Sequence, residues 1–312
     1  MILSVSRRTD IPNYYPDWFY NRIKEGFVYV RNPMNLHQVS KIDISPDVVD
    51  CIVFWTKNPE PMIGRLDELN AYNYYFQFTL TGYGKDMEHN VPHKKKIMIP
   101  VFQKLSEKIG KKKVIWRYDP IVFNKVYTAE YHLKAFEQIA CALNGYTDQC
   151  VISFVDAYAK NQKKMKALDA YDMDEPALME FCKTLSRIAG KNAMTVGSCA
   201  ERIELTDCGI RHNCCIDQKL IEEITGYQIK AGKDKNQRPE CGCIESVDIG
   251  TYNTCKNGCQ YCYANGSQES VMKNCSKYDF YSPLLCGALT EEDKLNERKV
   301  KSLKQKQISL FD

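Results

Sequence analysis

Three cysteines near the end of the chain have the residue type and the spacing to bind a metal cluster. Cys255, Cys259 and Cys262 form a Cys-x3-Cys-x2-Cys motif within eight residues. Three thiolates from one loop can hold three irons of a [4Fe-4S] cubane and leave the fourth iron without a protein ligand. Gly258, before the middle cysteine, lets so short a loop turn tightly. The motif therefore predicts a cluster with one iron open to a small molecule.

Two other metal sites are compatible with the same three cysteines. Cys-x2-Cys spacing is common in structural zinc sites, which want four ligands and usually draw them from two separated pairs. A fourth cysteine from elsewhere would instead complete a four-Cys iron–sulfur cluster. The tight trio favours the cubane with an open iron over both alternatives, which stay open at this point.

The loop resembles the cluster motif of the radical S-adenosylmethionine (SAM) enzymes in its spacing and in the aromatic Tyr261 before the last cysteine. The resemblance implies that SAM chelates the open iron through its amino and carboxylate groups. It also implies that reductive cleavage of SAM yields a 5′-deoxyadenosyl radical. Asp248, Asn253 and Tyr261 lie within or beside the motif and are the candidates for contacts with the cofactor.

The position of the loop departs from that family, in which it follows the first strand of the domain. Here it follows every predicted strand–helix unit. A circular permutation, which proteins tolerate when their termini lie close together, would place the strand that leads into Cys255 beside the first strand, Ile2–Ser6. The run Ser6-Arg7-Arg8-Thr9-Asp10 stands where the family carries a Gly-Gly-Glu-like motif for the SAM amine.

A second set of cysteines precedes the loop at irregular spacing. From it we select four as ligands of a second iron–sulfur cluster or of zinc: Cys199, Cys215, Cys241 and Cys243. The alternative is that several of these thiols are small buried hydrophobic groups. We interpret the remaining cysteines before residue 199 as packing residues on strands or helices: Cys51, Cys141, Cys150 and Cys182.

Short apolar runs separated by amphipathic stretches predict the fold. The predicted strands are Ile2–Ser6, Phe27–Val30, Cys51–Trp55, Tyr74–Leu80, Val114–Arg117, Cys150–Phe154 and Ala193–Gly197. Near-continuous apolar strands alternating with helices indicate a parallel sheet. Six to eight such units predict an α/β fold, a (β/α) barrel that is closed or partial, radical-SAM-like and circularly permuted, with a Cys-rich C-terminal region.

Polar residues follow most of these strands, where parallel α/β folds carry their sites. The candidates for catalysis are Arg7, Arg8, Asp10, Lys57, Arg117, Asp119 and Asp156. The cations would bind a carboxylate or phosphate, and the aspartates would orient SAM or the substrate. The alternative is that these residues cap helices and tie loops together.

Length and composition limit the class of protein. The chain has 312 residues, 15 cysteines and a net charge of +4, which does not by itself indicate nucleic acid. An odd number of cysteines, no predicted signal peptide and no apolar run of membrane length favour a cytoplasmic protein whose thiols bind metal. We expect barrel units over 1–198, a Cys-rich region completing the barrel over 199–290, and a charged tail, helical or loose, over 291–312.

Nearly the whole chain resembles DUF1848, a bacterial family named only as a domain of unknown function. The matching stretches are Ser6–Pro12, Phe54–Pro59, Trp116–Pro120 and the final Cys loop. The resemblance implies a C-terminal cysteine cluster like that of radical SAM proteins and no established reaction. Thr56–Pro59 and the Cys loop are also similar, more distantly, to the spore photoproduct lyase group of DNA repair enzymes.

The last residues, Gln307–Phe311, resemble the short peptide by which bacterial repair and replication proteins bind the sliding clamp. One glutamine and two large apolar groups can supply most of the energy of such an interaction; the alternative is that they pack on the protein itself. The leading hypothesis is a radical SAM-type enzyme acting on nucleic acid. The other hypotheses are a non-catalytic iron–sulfur protein tethered to DNA through the clamp, and a zinc-stabilised binding module.

Overall fold

An eight-stranded sheet forms the centre of this protein, which a computed structural model describes over residues 1–155 and 162–305. The strands in this part of the chain are β1 (Ile2–Val5), β2 (Phe27–Asn32), β3 (Asn35–Asp43), β4 (Cys51–Thr56), β5 (Tyr74–Thr79), β6 (Val114–Ile121), β7 (Gln149–Phe154), β8 (Thr195–Cys199), β9 (Ile210–Asn213), β10 (Val247–Asp248) and β11 (Lys294–Arg298). The α-helices are α1 (Ile11–Tyr14), α2 (Pro16–Glu25), α3 (Glu60–Ile63), α4 (Ile99–Ile109), α5 (Ala129–Leu143), α6 (Gln162–Ala167), α7 (Glu175–Lys191), α8 (Gln218–Thr225) and α9 (Gln268–Cys275).

The strand order of the large sheet is β10-β1-β4-β5-β6-β7-β8-β9, and every pair is parallel. The predicted α/β class with a parallel sheet is confirmed. β10, the strand before the Cys loop, pairs with β1 through Leu3 with Val247 and Ser4 with Asp248. The last strand of this sheet in the chain thus lies beside the first, as the permuted arrangement predicts.

The two end strands of the sheet are β9 and β10, and no strand pairing between them occurs in the described ranges. What lies between these ends is the segment from Asn213 to Val247, which carries most of the second set of cysteines. The backbone N–H of Ile244 donates to the carbonyl of Ile216 at 3.2 Å within this segment. Within the described ranges the large sheet is therefore open, and closure of a barrel by strand pairing is not observed.

A second, smaller sheet corrects two expectations. β2 pairs antiparallel with β3, and β11 pairs parallel with β3, in the order β11-β3-β2. The prediction that Phe27–Val30 belongs to the barrel is wrong, because its backbone groups are used by the hairpin with β3. The prediction of a helix or loose tail after residue 291 is also wrong for Lys294–Arg298, whose charged side chains are exposed while its backbone pairs with β3.

Both faces of the large sheet are covered, as the near-continuous apolar strands predict. One face carries Leu3, Phe54, Phe76 and Trp116 against the helices. Trp116 stacks on Phe136 of α5 with ring centroids 4.7 Å apart. The other face carries Ile2, Val53, Tyr75 and Ile115 against Cys215, Ile216, Ile244 and their neighbours. The Cys-rich region is therefore one of the layers that bury the sheet.

Capping side chains set where the helices begin. Asp10 accepts from the N–H of Asn13 at the start of α1, and Thr128 accepts from Tyr131 at the start of α5. Asp174 caps α7, whose second residue is a proline that needs no N–H partner. Within the described part of the chain, every helix is too short or too polar to span a lipid bilayer.

A half-buried carboxylate joins β10 to the end of β1. Asp248 accepts hydrogen bonds from the hydroxyls of Ser4 at 2.9 Å and Ser6 at 2.7 Å. It also accepts from the backbone N–H of Arg7 at 2.8 Å and of Gly250 at 3.0 Å. These four bonds hold the segment that leads into the Cys loop against the residues that follow β1.

We predict that Gly250→Ala lowers the free energy of unfolding by about 1–3 kcal/mol, the usual cost of overpacking. An alanine Cβ at this position would lie 2.6 Å from the Cβ of Ser6 and would push β10 away from β1. Urea unfolding of the variant against the wild type measures the difference.

The matched control is Gly64→Ala. Residue 64 has right-handed helical geometry, and no atom lies within 4 Å of the added Cβ. This substitution should leave the stability unchanged or raise it by about 0.4–1 kcal/mol. Equal unfolding midpoints for the two variants would contradict the close contact between residue 250 and Ser6.

Candidate functional site

A cavity of about 590 Å³ lies at the carboxyl ends of the parallel strands. It is lined by six of the seven predicted catalytic residues: Arg7, Arg8, Asp10, Lys57, Arg117 and Asp119. The seventh, Asp156, lies outside the described residues. The structure therefore brings the polar residues that follow β1 and β4, together with Arg117 and Asp119 of β6, to one place, as the position of strand ends in a parallel sheet requires.

The three cysteines of the loop line the same cavity: Cys255, Cys259 and Cys262. Burial raises the pKa of Cys255 well above its usual range and that of Cys259 to about 12. Within residues 1–155 and 162–305, no three Cys, His, Asp or Glu side chains stand in a ready-made metal geometry. What fits an iron–sulfur cluster is the donor set, three thiols from one loop facing one cavity.

The segment after β5 holds the Cys loop in place. The backbone N–H of Gln260 donates to the carbonyl of Met87 at 2.9 Å, and the N–H of Asn90 donates to the carbonyl of Asn257 at 3.0 Å. The amide of Asn90 also donates to the carbonyl of Lys256 at 2.6 Å. These backbone contacts explain how a short glycine-containing loop keeps a defined shape.

Glu88, in the same segment, is a fully buried carboxylate that sequence reasoning missed. It accepts from Lys57 Nζ at 2.7 Å and from Thr81 Oγ1 at 2.9 Å, and it also binds Lys94 Nζ and the hydroxyl of Tyr261. Burial alone would raise the pKa of Glu88, but the two lysines lower it to about 2. Two ammonium groups against one carboxylate leave one surplus positive charge beside the Cys loop. No sequence pattern marks this glutamate.

Asp10 joins the Cys loop to the rim of the cavity, which consists of the polar residues at the carboxyl ends of β1, β4 and β6. Its carboxylate accepts from Thr56 Oγ1 at 2.6 Å and from the N–H of Lys57 at 2.9 Å. It also accepts from the amide of Asn257, inside the Cys loop, at 2.9 Å. Burial raises the pKa of Asp10 against these hydrogen bonds. Because both oxygens already have partners, the geometry makes Asp10 a residue that positions the loop.

Two arginines, half-buried Arg7 and buried Arg117, flank one tryptophan in the cavity. The guanidinium carbons of Arg7 and Arg117 lie 4.9 Å and 5.3 Å from the ring centroid of Trp55. Arg117 pairs with Asp119 and donates to the side-chain oxygen of Gln77 at 3.2 Å. Cations over an aromatic face are stabilised when they are desolvated. The pair places two fixed positive charges at the centre of the strand ends.

Arg8 and two of the three predicted cofactor contacts lie at the cavity, whereas the third lies at the base of the loop. Arg8 lies over Tyr252 at 5.2 Å, and its Nε is 3.9 Å from Asp248. Asp248 and Tyr261 line the cavity. Asn253 instead closes the base of the loop, where its side chain accepts from the N–H of Gly266 at 2.6 Å.

The four cysteines predicted as a second ligand set also line this cavity: Cys199, Cys215, Cys241 and Cys243. The sulfurs of Cys199 and Cys215 are 3.2 Å apart. A hydrogen bond from the Cys243 thiol lowers the pKa of Cys241 to about 7, against its burial. The structure thus gathers cysteines that are more than forty residues apart in sequence.

The cysteines interpreted as packing residues divide into two groups. Cys51, Cys150 and Cys182 are buried in the core, whereas Cys141 on α5 is exposed. The expectation of a core position is wrong for Cys141, because it lies on the solvent side of an amphipathic helix.

Two runs of three lysines, Lys94–Lys96 and Lys111–Lys113, lie at different ends of the sheet. Lys94 forms an ion pair with Glu88, in the segment after β5 that contacts the Cys loop. The run Lys111–Lys113 directly precedes β6, so it lies at the opposite end of the strand from the cavity. The peptide Gln307–Phe311, predicted to bind the sliding clamp, lies outside the described residues.

Comparison with known proteins identifies the family. The family model described as "Domain of unknown function (DUF1848)" matches residues 2–264, which include β1 to β10 and the whole Cys loop. No curated protein and no solved structure gives a significant match. The resemblance inferred from the sequence is confirmed over most of the chain, and the protein belongs to the DUF1848 family.

Proposed function

We propose that this protein is a radical SAM-type iron–sulfur enzyme whose cluster is held by Cys255, Cys259 and Cys262. The observation that supports the proposal most directly is that these three thiols and six polar residues from the strand ends line one cavity. When bound, the cluster would supply an electron for the reductive cleavage of SAM and generate a radical that abstracts hydrogen. The residues of the chain bind and orient the reactants.

The cations of the cavity suit an anionic reactant. Lys57 and Lys94 share Glu88, which leaves one positive charge beside Cys259. Although burial would lower the pKa of Lys57, Glu88 raises it to about 12, so the ammonium stays charged at neutral pH. Among the described residues, Arg8 has one carboxylate ion-pair neighbour, Asp248, at 3.9 Å. Lys57 and Arg8 are therefore the groups we assign to a carboxylate or phosphate of SAM or of the substrate.

Two tyrosines of the Cys loop have fixed partners. Tyr261 is buried, and the ammonium of Lys57 lies 5.6 Å from its ring centroid. Tyr263 is 44% exposed, and its hydroxyl donates to the carbonyl of Arg7 at 3.0 Å. The buried ring of Tyr261 would keep water from that side of the loop, which suits a reactive radical.

A nucleic acid substrate is the finer part of the proposal. It depends on the distant lyase resemblance and on the clamp-like peptide. In the described part of the chain, Lys94 is the member of the two lysine runs that forms an ion pair with Glu88 beside the cavity. The non-catalytic alternative is a protein whose cluster has four cysteine ligands and does not bind SAM.

We predict that alanine at position 255, 259 or 262 removes the iron and the visible absorption of protein purified without oxygen. Each substitution deletes one of three thiolates that share one cluster. The matched control is Cys182→Ala, at a core position on α7. Full absorption in all three loop variants would overturn the assignment of the cluster.

We predict that SAM changes the electron paramagnetic resonance spectrum of the reduced protein. An iron without a protein ligand is open to the amino and carboxylate groups of SAM, so its signal should shift when SAM binds. S-Adenosylhomocysteine, which lacks the sulfonium charge, serves as the comparison ligand. A [4Fe-4S] signal indifferent to SAM would favour a cluster with four protein ligands and would contradict the radical SAM proposal.

We predict that Glu88→Gln destabilises the protein by about 3–5 kcal/mol, because it leaves two buried ammonium groups without their carboxylate. The pKa of Glu88 is lowered to about 2. Its contribution is therefore complete above the unfolded-state pKa of about 4.3 and is lost as the pH falls toward 2. The free energy of unfolding measured against pH tests both statements.

The matched control is Glu68→Gln, which weakens an ion pair with Arg65 at the surface. An exposed pair is worth less than about 1 kcal/mol. Equal losses for the two variants would contradict the role of Glu88 as the carboxylate that holds the lysines beside the Cys loop.

A further inference from the structure

The second set of cysteines lies between the two unpaired ends of the sheet. Cys199 is the last residue of β8, and Cys215 follows β9 by two residues. Cys241 and Cys243 lie shortly before β10. Three separate chain segments thus deliver thiols to the one place where the parallel sheet lacks a strand pairing.

Direct contacts bring the segments that carry the four thiols together. Cys199 and Cys215 are 3.2 Å apart between sulfurs. The backbone N–H of Ile216, the residue after Cys215, donates to the sulfur of Cys243 at 3.3 Å. Cys241 precedes Cys243 by two residues and lines the same cavity. Three segments therefore deliver their thiols to one part of the cavity.

Two guanidinium groups face these sulfurs. Arg117 Nη1 donates to the sulfur of Cys215 at 2.8 Å. Arg7 lies within electrostatic range of Cys243. Its Nη2 is buried and has no hydrogen-bond partner within the described residues. Positive groups and N–H donors at sulfur favour the thiolate form, which is the form that binds metal. An unpaired guanidinium N–H beside the group is the environment expected for a site that carries negative charge.

The backbone carbonyl of Cys215 is also held in place. The hydroxyl of Tyr75 and the amide of Gln77 both donate to this carbonyl, at 2.7 Å and 2.8 Å. Both side chains project from β5 on the face of the sheet that the Cys-rich region covers. The loop that carries Cys215 is therefore held in place before any ligand binds.

We propose that Cys199, Cys215, Cys241 and Cys243 bind one zinc ion, which fastens the β8–β9 end of the sheet to β10. In a tetrahedral zinc site with Zn–S bonds of about 2.3 Å, the ligand sulfurs are about 3.8 Å apart. The sulfurs of Cys199 and Cys215 would need to separate by only a few tenths of an ångström. A four-iron cluster is larger and would force the three segments apart. Zinc binding releases the remaining thiol protons to solvent and adds its free energy to folding.

This site is independent of SAM chemistry. It lies in the same cavity as the Cys255 loop but uses none of its ligands. It replaces with a metal the strand pairing that would close a barrel at β9 and β10. The cavity would then have a cross-linked wall opposite the Cys loop.

The test is the zinc, iron and acid-labile sulfide content of the purified protein and of matched variants. We expect about one zinc per wild-type chain, its loss in Cys215→Ser and Cys243→Ser, and its retention in Cys214→Ser. Cys214 is the matched control because it lies in the same loop but outside the lining of the cavity. Zinc content unchanged in the two ligand variants would overturn the proposal. So would a loss of iron together with sulfide, which would indicate a second iron–sulfur cluster.

A second measurement covers variants that fail to fold. The triple variant Cys255→Ala/Cys259→Ala/Cys262→Ala removes the first site and, by this proposal, keeps its zinc. After removal of the zinc by a chelator, Co²⁺ should produce the intense thiolate-to-cobalt absorption of a tetrahedral tetrathiolate site, and Zn²⁺ should displace it. Absence of this absorption would overturn the zinc site. The result is independent of whether the Cys255 loop binds a cluster or SAM, so the two proposals fail separately.

Discussion

The contact between β10 and the end of β1 is the constraint on which the site depends. β10 is only two residues long, too short to hold its place by ladder hydrogen bonds alone. The carboxylate of Asp248 supplies what the strand lacks, because it accepts four hydrogen bonds, which include those from Ser4 in β1, from Ser6 just after it and from the N–H of Arg7. That junction fixes the start of the Cys loop, and the segment after β5 and Asp10 fix the rest of it.

The rest of the cavity is organised by carboxylates that act between segments. Asp10 connects β4 to the Cys loop through Asn257, and Glu88 connects Lys57 to Tyr261. Each is buried, so each stabilises the fold only while its partners are present. Because both reach the Cys loop, a change in that loop would be transmitted to the cations of the rim. Asp10 and Glu88 thus position other side chains, and their carboxylates are already occupied by hydrogen bonds within the protein.

The open order of the sheet gives the Cys-rich region a structural task as well as a chemical one. It packs on the face of the sheet opposite the helices, where Tyr75 and Gln77 of β5 hold the carbonyl of Cys215. A region with few strong helix or strand signals can fill such a place because its shape is set by what it packs against. The thiols it brings together lie next to the cavity, so the layer that covers the sheet also contributes to the site.

Local sequence determined the features that depend on neighbouring residues. The spacing of Cys255, Cys259 and Cys262 predicts a metal-binding loop, and the polar residues near the ends of apolar strands predict the lining of the cavity, because these features follow from residue type and chain direction. The same reasoning placed Phe27–Val30 in the wrong sheet, since an apolar run does not reveal its partner strand. Only the tertiary structure decided that Glu88 lies beside the Cys loop and that three distant segments bring four thiols together. Those contacts arise from packing between residues far apart in the chain, for which no spacing in the sequence carries a signal.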